Sequence, residues 1–387
     1  MTVALSTVDG AAGIALLARR EVRDLPRYQS GAPSPDILAR WKIAELARLA
    51  SNENLIGPSP RVREALLAIL DDVHRYPDPN CTDLRRELAA RHGVPPERIV
   101  VGNGSEDIIE MLCKVFLSTA DRVVTLAPAF GLHEIFPRMM GAEVHKVPVT
   151  SAWQFDVPAI SAALERPTKM LLLSTPSNPV GCELSDADVQ QLNAACRAET
   201  IFVLDEAYRE YSGDDRGTGR RATLESMDRP WIVLRTLSKA YGLAGLRIGY
   251  GIASDAEVVA LLDRVRTPFN VNLAAQVAAI AALRDESHLR AVVAATGSER
   301  TWLMASLGRL KREVPALQVA ASAANFLFID TGRNAKAVAR QLATNGVVVK
   351  PWMDTGFANC IRVTVGPRTA NERFMRHFGD IVRRPAS

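Results

Sequence analysis

The chain has 387 residues and a mass of 42.1 kDa, which is long enough for at least two domains with a cleft between them. Apolar residues make up 48% of the sequence and charged residues 23%, which excludes a mostly disordered or fibrous chain. The formal net charge is +4, the basic residues are scattered and no apolar run approaches roughly 20 residues, so neither a nucleic-acid partner nor a membrane partner is expected.

Short apolar runs alternate with helical patterns through the middle of the chain. An early helix begins at Ser59 and Pro60, and its apolar residues recur at helical spacing as far as Val73. The predicted strands cover residues 98–101, 122–126, 143–147, 170–174, 201–204 and 231–234. Alternation of strands and helices predicts an α/β fold with a doubly wound, largely parallel sheet.

The last third of the chain has a different pattern. A helical stretch over residues 255–311, broken near Pro268, is followed by further strands and one helix. The predicted strands are 325–330, 346–349 and 360–365, with a helix at 335–343. This order predicts a second, smaller α+β domain.

The predicted domain boundaries lie at residues 55 and 272. The three parts are an N-terminal arm with part of the small domain (1–55), a large domain (56–272) and a small C-terminal domain (273–387). Turn-forming residues are concentrated at 30–35 and the arm has no clear periodicity, so its conformation is not predicted.

The cysteines and histidines carry no metal-binding or disulfide pattern. Five cysteines without CxxC spacing and six dispersed histidines predict no zinc site and no disulfide framework. The apolar patch near residue 14 has no basic segment before it, so a secretion signal is not expected. We therefore expect a cytoplasmic protein that binds no metal.

Two turn motifs follow predicted strands. Gly102 to Ser105, with the sequence GNGS, leads into a helix predicted at 107–116, whose N-terminal amides favour a phosphate. Asn178 lies in the SNPVG motif after Ser174, where its amide can donate to a phenolate-type oxygen. An ordinary strand-to-helix turn and an ordinary proline-glycine turn remain the alternatives for these motifs taken singly.

Two charged residues stand at the ends of apolar strands. Asp205 is costly to bury without a cationic partner, which indicates a charged ligand; a Mg²⁺ ligand or a helix cap are the alternatives. Lys239 lies in a segment rich in glycine and aliphatic residues, which disfavours a solvated surface lysine. Its amine can form an imine, and Thr236, Ser238 and Arg247 nearby are suited to a phosphate.

Seven segments resemble, in order and spacing, the fold-type I pyridoxal-phosphate aminotransferases, and most closely the histidinol-phosphate aminotransferases. They are SNENLIGPSP (51–60), RYP (75–77), GNGSED (102–107), SNPVG (177–181), DEAY (205–208), TLSKAYGLAGLRIGY (236–250) and IRVTVG (361–366). The resemblance covers nearly the whole chain beyond about residue 40. It implies the α/β fold of that family, a large domain with a mostly parallel seven-stranded sheet plus a smaller α+β domain. It also implies pyridoxal 5'-phosphate as cofactor and an active homodimer with shared sites.

The resemblance also implies roles for single residues. Lys239 would bind the cofactor's aldehyde and act as the base, and Asp205 would keep the ring nitrogen protonated. Asn178 and Tyr208 match the donors to the ring oxygen. The other matched cofactor-binding residues are Gly104, Ser105, Glu106, Thr236, Ser238, Arg247 and, from the neighbouring subunit, Tyr76.

The substrate side of the predicted site contains two departures from the family. Arg362 matches the arginine that clamps the α-carboxylate, with a structural ion pair as alternative, and Asn52 matches a substrate-side asparagine. His133 stands where most relatives have a tyrosine stacked on the pyridine ring, with Phe130 as the alternative stacking residue. Lys350 replaces an arginine that grips a substrate phosphate, and a lysine binds phosphate only as a point charge.

The predicted function is a ping-pong transfer of an amino group to a 2-oxo acid. The resemblance favours histidinol phosphate and 2-oxoglutarate as the substrates, within histidine biosynthesis. Two alternatives stay open, namely an aminotransferase for aromatic or other specialised amino acids and a decarboxylase of a phosphorylated amino acid. A cofactor-sensing regulator is disfavoured, because the first 40 residues are too short for a fused DNA-binding domain.

Overall fold

A computed structural model describes residues 10–28, 46–213 and 218–384. The strands are β1 Ala47–Arg48, β2 Ile99–Gly102, β3 Arg122–Ala127, β4 Glu143–Pro148, β5 Met170–Ser174, β6 Ile201–Asp205, β7 Trp231–Thr236, β8 Gly249–Ala253, β9 Gln318–Val319, β10 Phe326–Asp330, β11 Val347–Val348, β12 Lys350–Pro351 and β13 Cys360–Thr364.

The α-helices are α1 Gly10–Leu17, α2 Arg20–Arg23, α3 Pro60–Ala68, α4 Thr82–His92, α5 Ser105–Phe116, α6 Leu132–Met139, α7 Val157–Leu164, α8 Asp186–Ala195, α9 Thr218–Glu225, α10 Ala256–Val265, α11 Leu273–Leu283, α12 Glu286–Glu313, α13 Ala335–Thr344 and α14 Arg368–Arg383. Short 3₁₀ turns cover Leu70–Asp72, Pro96–Arg98, Arg209–Tyr211 and Ala244–Leu246.

A seven-stranded sheet forms the centre of the molecule, in the order β2-β8-β7-β6-β5-β3-β4. All its strands run parallel except β8, which is antiparallel to both β2 and β7. This architecture confirms the predicted α/β class with a mostly parallel sheet. The β8 strand is absent from the predicted strands, because Gly249 and Gly251 interrupt its apolar pattern. A Cβ on Gly249 would lie 2.3 Å from the Ser105 nitrogen, so only glycine lets β8 pass the start of α5.

Helices cover both faces of this sheet, which explains why its strands are continuous apolar runs. Along β5, Leu171 and Leu173 pack with residues of α3, α4, α7, α8 and α11 on one face. Met170 and Leu172 pack with α5 and α10 on the other face. The register pairs Ser174 with Asp205, so the polar ends of neighbouring strands meet at one edge.

A four-stranded antiparallel sheet, β12-β13-β10-β9, forms the core of the C-terminal part. Its apolar face packs with α12, α13 and α14 around residues such as Leu327, Val363 and Phe374. β1 pairs in parallel with β11, and Leu49 belongs to the same core, so the chain before α3 contributes to this part. The domain boundaries at residues 55 and 272 stay a prediction.

The N-terminal segment lies along α6. The Arg19 Nη2 donates to the carbonyl oxygen of Met139 at 3.0 Å, and the Tyr28 ring meets the Phe130 ring edge-on at 6.0 Å. The turn-rich stretch 30–35 lies outside the described residues. Within the described ranges, no helix has both the length and the apolar content that a membrane crossing requires.

Candidate active site

A cavity of about 190 Å³ lies where the carboxyl edge of the seven-stranded sheet faces β12 and β13. Its wall includes residues after β5, β6 and β7, the start of α5 and the segment 50–52. The predicted site residues in this wall are Asn52, Ser105, Glu106, Asn178, Asp205, Tyr208, Thr236, Ser238, Lys239, Arg247, Lys350 and Arg362. Residues more than 300 positions apart in the chain therefore share one small space.

Lys239 has its amine inside this cavity. Its Nζ donates to the carbonyl oxygen of Ser51 at 3.1 Å and lies 5.8 Å from the centre of the Tyr208 ring. Burial, together with the positive charges of Arg362 and Arg247, lowers the pKa of Lys239 to about 8. A substantial fraction of the amine is consequently neutral near physiological pH, which is the form that attacks a carbonyl.

Asp205 ends β6 with its carboxylate at the cavity wall. The Oδ1 accepts a hydrogen bond from the Ala207 nitrogen at 3.1 Å, and Oδ2 lies 3.2 Å from Nε2 of His133. The residue is only 4% exposed, so the Ala207 N–H group and the His133 imidazole substitute for water around a buried carboxylate. Such a carboxylate can pair with a cationic group of a ligand.

His133 lies behind Asp205 and is not part of the cavity wall, whereas Phe130 is. The His133 ring is fully buried and meets the Phe130 ring edge-on, with 5.7 Å between their centres. The predicted stacking position of His133 does not fit this geometry, because the first turn of α6 directs the imidazole to Asp205. The alternative residue, Phe130, has the ring at the cavity.

The start of α5 and Arg247 form an anion-binding end of the cavity. The Arg247 Nη2 donates to Oε1 of Glu106 at 2.7 Å, and Nη1 lies 3.4 Å from Oγ of Ser238. Gly104 has φ +85°, a conformation that residues with a side chain rarely adopt, and a Cβ there would lie 2.6 Å from Nη2 of Arg247 and displace the guanidinium. Groups suited to a phosphate therefore converge from Ser105, Thr236, Ser238 and Arg247.

A buried hydrogen-bond chain joins Asn52 to Tyr208. The Asn52 Nδ2 donates to the Tyr208 hydroxyl at 2.9 Å, and the Asn52 nitrogen donates to Oγ1 of Thr364 at 2.9 Å. Burial raises the pKa of Tyr208 to about 12, so the phenol keeps its proton and can donate into the cavity.

Arg362 projects from β13 between the rings of Phe326 and Trp352. Its Nη1 donates to Oδ1 of Asn178 at 2.6 Å and its Nη2 to the carbonyl oxygen of Ala50 at 2.7 Å. Its Nε is buried without a partner, and burial lowers the pKa of the guanidinium. Both partners are neutral oxygens, which does not support the alternative of a structural ion pair. The Arg362 guanidinium therefore keeps its charge available for an anionic ligand.

Lys350 is the second cation beside Arg362 in the cavity wall. It pairs with Arg362 across β12 and β13, and its Nζ lies 5.4 Å from the Tyr28 ring centre and 5.3 Å from that of Trp352. Burial, followed by the charge of Arg362, lowers the pKa of Lys350 to about 8. Two adjacent cations in the cavity wall favour an anionic ligand.

Several wall residues are not among the predicted site residues. Tyr28 lies in the arm without periodicity, and Ala50 and Ser51 contribute backbone carbonyls, which side-chain patterns do not reveal. Tyr76 is 81% exposed and stacks on Phe269 at 4.5 Å, outside the wall of this chain's cavity. The predicted contact between Tyr76 and the cofactor therefore requires a second chain.

The cavity fits pyridoxal 5'-phosphate, the cofactor implied by the resemblance. A buried amine of lowered pKa, a buried carboxylate and a phenol line one space with the anion-binding end. The glycine at position 104 leaves room where a phosphate would bind, since any side chain would meet Arg247.

Comparison with known proteins gives consistent matches. The sequence profile described as aminotransferase class I and II matches residues 44–378. Histidinol-phosphate aminotransferase 1 of Mesorhizobium japonicum is 44% identical over 366 residues, covering 95% of this chain and 98% of that protein. Histidinol-phosphate aminotransferase 3 of Rhizobium meliloti is 40% identical, covering 94% and 97%.

Solved structures show the same relationship. The crystal structure of histidinol-phosphate aminotransferase from Sinorhizobium meliloti in complex with pyridoxal-5'-phosphate has a TM-score of 0.83 and 27% identity, covering 94% of this chain and 97% of that one. Family profile, sequence relatives and fold thus agree with the geometry of the cavity. The chain belongs to the class I and II aminotransferase family and is a pyridoxal-phosphate-dependent aminotransferase.

Proposed function

We propose that this aminotransferase takes the amino group of histidinol phosphate and passes it to a 2-oxo acid such as 2-oxoglutarate. The observation that carries the proposal is the pair of cations Lys350 and Arg362 on neighbouring strands, whereas Arg247, the third cation beside them in the cavity wall, comes from the segment between β7 and β8. One anion site serves the cofactor, and the other serves the substrate. Relatives at 38–44% identity carry the name histidinol-phosphate aminotransferase, which supports the same donor.

Bound pyridoxal phosphate supplies an electron sink that makes the α C–H bond of the donor amine acidic. Lys239 would provide the amine that holds the cofactor's aldehyde carbon, and the same amine would serve as the base that moves a proton at the substrate carbon. Asp205 would hold the protonated ring nitrogen by charge, and Asn178 and Tyr208 would donate to the ring oxygen. Phe130 would supply the stacking ring in the place predicted for His133.

The phosphate of the cofactor would be held by backbone and side-chain donors at the start of α5 and after β7. The Arg247 guanidinium supplies the charge, while the Glu106 carboxylate at 2.7 Å fixes its orientation and offsets part of that charge. The residues proposed for this role are Gly104, Ser105, Thr236, Ser238 and Arg247.

Lys350 and Arg362 would each bind one anionic group, in different half-reactions of the ping-pong cycle. In the first half-reaction Lys350 binds the phosphate of the donor, and in the second Arg362 binds the α-carboxylate of the oxo acid. Asn52 positions the Tyr208 hydroxyl through the 2.9 Å hydrogen bond, on the substrate side of the cavity. The aromatic rings of Tyr28 and Trp352 exclude water from Lys350, which strengthens its interaction with an anion.

The active unit in this proposal is a homodimer. A row of apolar side chains is exposed on this chain, namely Leu67 (56%), Leu70 (58%), Val73 (63%), Tyr76 (81%) and Phe269 (38%). Such a surface is typical of an interface. A second hollow of about 430 Å³, which shares Ser238 with the active-site wall, offers room for Tyr76 of a second copy.

We expect Leu70→Glu with Val73→Glu to convert the dimer to a monomer, because two buried charges would lie in the interface. Sedimentation velocity would show the smaller species, and the monomer should bind the cofactor at least about tenfold more weakly through loss of Tyr76. The matched control is Lys311→Glu with Lys336→Glu, which reverses two exposed charges elsewhere. An unchanged dimer with both interface substitutions would contradict the proposed surface.

The proposal extends to location and domain organisation. All five cysteines are buried and unpaired, which suits a reducing cytoplasm. We propose a division of the chain at residues 55 and 272, with segment 1–55 forming the N-terminal arm and part of the small domain.

A panel of amino donors tests the proposed substrate. Histidinol phosphate, unphosphorylated histidinol, phenylalanine and tyrosine are mixed singly with the loaded enzyme, and conversion of the bound cofactor to its amine form is followed by absorbance. We expect kcat/KM for histidinol phosphate to exceed that of the other donors by roughly 100-fold, the value of a charge-assisted contact. Faster conversion by an aromatic amino acid, or release of carbon dioxide without an oxo-acid product, would contradict it.

Lys350 is expected to provide the phosphate selectivity. Lys350→Ala should lower kcat/KM for histidinol phosphate roughly 10- to 100-fold and leave histidinol nearly unchanged. Because the pKa of Lys350 is lowered to about 8, its charge is lost as the pH rises above that value, so the phosphate preference should decline there. Lys350→Arg is the matched control and should keep the preference to higher pH, since arginine stays charged. Equal losses for both donors would assign phosphate recognition elsewhere.

A further inference from the structure

The threonine of the IRVTVG segment has no part in the proposed chemistry, yet it contacts a residue of the site. Thr364 follows Arg362 by two positions on β13, so both side chains leave the same face of the strand. Thr364 is fully buried, and its Oγ1 accepts a hydrogen bond from the Asn52 nitrogen at 2.9 Å. The same hydroxyl donates to Oδ1 of Asn52 at 3.3 Å. One threonine therefore binds both the backbone and the side chain of Asn52.

The backbone at Asn52 has an uncommon conformation that its neighbours hold in place. Its φ of +54° lies in the left-handed region, which asparagine tolerates better than most residues do. Besides the two contacts with Thr364, the Asn52 carbonyl oxygen accepts from Nδ2 of Asn325 at 3.1 Å. Thr364 and Asn325 are both buried in the C-terminal part of the chain. Together they fix the position from which the Asn52 side chain reaches Tyr208.

The Thr364 hydroxyl selects one orientation of the Asn52 amide. With Oδ1 towards Thr364, the hydroxyl proton has an acceptor, and Nδ2 donates to the Tyr208 hydroxyl at 2.9 Å. With the amide reversed, Thr364 would face two N–H donors, and no acceptor among the described residues would remain for its own buried proton. A buried donor without an acceptor is unfavourable, so the first orientation is preferred.

The orientation of this amide decides where the Tyr208 proton points. Burial raises the pKa of Tyr208 to about 12, so the phenol has a proton to donate throughout the physiological range. A phenol that accepts from Nδ2 keeps that proton free for a ligand in the cavity. A reversed amide would present Oδ1, and the phenol would donate to Asn52 instead.

We propose that Thr364 is a positioning residue that, through Asn52, directs the Tyr208 proton to the ring oxygen of the cofactor. Hydrogen bonds of one direction run from the Thr364 hydroxyl to Asn52 Oδ1 and from Asn52 Nδ2 to the Tyr208 oxygen. No proton is transferred along this chain, because each group keeps its own. The inference rests on the proposed role of Tyr208 as a donor to that ring oxygen.

Variants at position 364 separate the hydroxyl from the shape of the side chain. Thr364→Val has a similar shape but no hydroxyl, so the Asn52 amide can reverse, whereas Thr364→Ser keeps the hydroxyl and loses a methyl group. Thr125→Val is the matched control, because the hydroxyl of buried Thr125 on β3 has no hydrogen-bond partner in the described part of the chain. Tyr208→Phe is the reference that removes the phenol itself. Thermal unfolding of each variant shows whether the fold is retained.

The measurement is the pH at which bound pyridoxal phosphate changes its absorbance, a property of the resting protein that requires no turnover. A donor to the ring oxygen draws negative charge away from the nitrogen that joins the cofactor to Lys239, so this nitrogen loses its proton at a lower pH. Tyr208→Phe should therefore raise the midpoint by about one pH unit, the size of one hydrogen bond. Thr364→Val should raise it by about half as much or more, while Thr364→Ser and Thr125→Val should keep the wild-type midpoint.

The double variant Thr364→Val with Tyr208→Phe tests whether the two residues act through one contact. Because the phenol is then absent, the valine should add no further shift to that of Tyr208→Phe. Additive shifts, or a wild-type midpoint in Thr364→Val alone, would overturn the inference. Equal shifts in the valine and serine variants, together with lower unfolding temperatures, would also overturn it by showing a packing role.

Neutron diffraction from deuterated crystals of the unloaded protein locates the protons directly. The inference predicts a deuteron between Thr364 Oγ1 and Asn52 Oδ1, and two deuterons on the Asn52 side-chain nitrogen that faces Tyr208. A reversed amide would overturn the inference and leave the proposed function intact. An unchanged midpoint in Tyr208→Phe would instead refute the role that the proposed function gives to Tyr208, and with it the link from Thr364 to the cofactor.

Discussion

Replacing Lys239 with alanine is expected to abolish transamination, with kcat falling by roughly 10⁴-fold, because the variant lacks the amine that moves the proton. The cofactor should still bind through Asp205, Arg247 and Ser238, but without the absorbance that its attachment to an amine produces. Spectra and single-turnover assays of the purified variant measure both effects.

The matched control for this variant is Lys350→Ala, which removes the other cavity lysine whose pKa burial lowers to about 8. The control should keep the absorbance of the attached cofactor, since Lys350 lies beside Tyr28 and Trp352 at the substrate end. If Lys239→Ala kept that absorbance and Lys350→Ala lost it, the assignment of the two amines would be reversed.

Because the pKa of Lys239 is lowered, the rate of cofactor capture by this residue should depend on pH. Protonated amine predominates below about pH 8 and neutral amine above it, and only the neutral form attacks an aldehyde. The rate at which unloaded protein captures pyridoxal phosphate should therefore rise with pH up to about 8 and level off above. A rate that still rose between pH 9 and 10 would show an ordinary, solvated lysine.

Replacing Asp205 with asparagine is expected to lower kcat roughly 10³-fold while the fold and cofactor attachment survive. Asparagine has nearly the same shape and can still accept from the Ala207 nitrogen, so the substitution removes little beyond the negative charge. Without that charge the ring nitrogen loses its counterion and the cofactor becomes a poor electron sink. Single-turnover absorbance with a saturating amino donor measures the loss.

Cofactor attachment separates this variant from Lys239→Ala. In Asp205→Asn the amine is intact, so the loaded protein should remain coloured although turnover is nearly lost. Asp205→Glu, which keeps the charge but displaces the carboxylate by one methylene group, should recover part of the rate. Near-normal turnover by the asparagine variant would contradict the proposed role of the Asp205 carboxylate.

The sequence was sufficient to predict the class of sheet and most of its strands. Continuous apolar runs such as 170–174 and 201–204 have few alternatives to buried parallel strands, and the residues following them lie at one edge of the sheet. Asp205 and Lys239 could therefore be placed at a common edge. In contrast, β8 contains Gly249, which lies close to Ser105, and Gly251, which lies close to Ile232 of β7. These close approaches are visible only in the folded chain, so the sequence alone does not explain the glycines.

The cavity wall was predictable only where side chains belong to motifs. Phe130 and His133 lie three residues apart, and which ring faces the cavity depends on where α6 begins, a boundary that the sequence does not define. Tyr28 reaches Lys350 from an arm without periodicity. Ser51 participates through its carbonyl oxygen, a group that every residue possesses.

The parallel pair of β1 and β11 has a consequence for biosynthesis. Ala47 and Leu49 donate hydrogen bonds to carbonyl oxygens of Gly346 and Val348, about 300 residues further along the chain. A ribosome therefore releases this segment long before its partner strand exists, whereas β2 to β8 emerge as one uninterrupted block. The seven-stranded sheet can assemble during translation, but Ala50 and Ser51 can reach their final positions only after β11 has been synthesised. The catalytic pocket is thus completed after the sheet, once β11 pairs with β1.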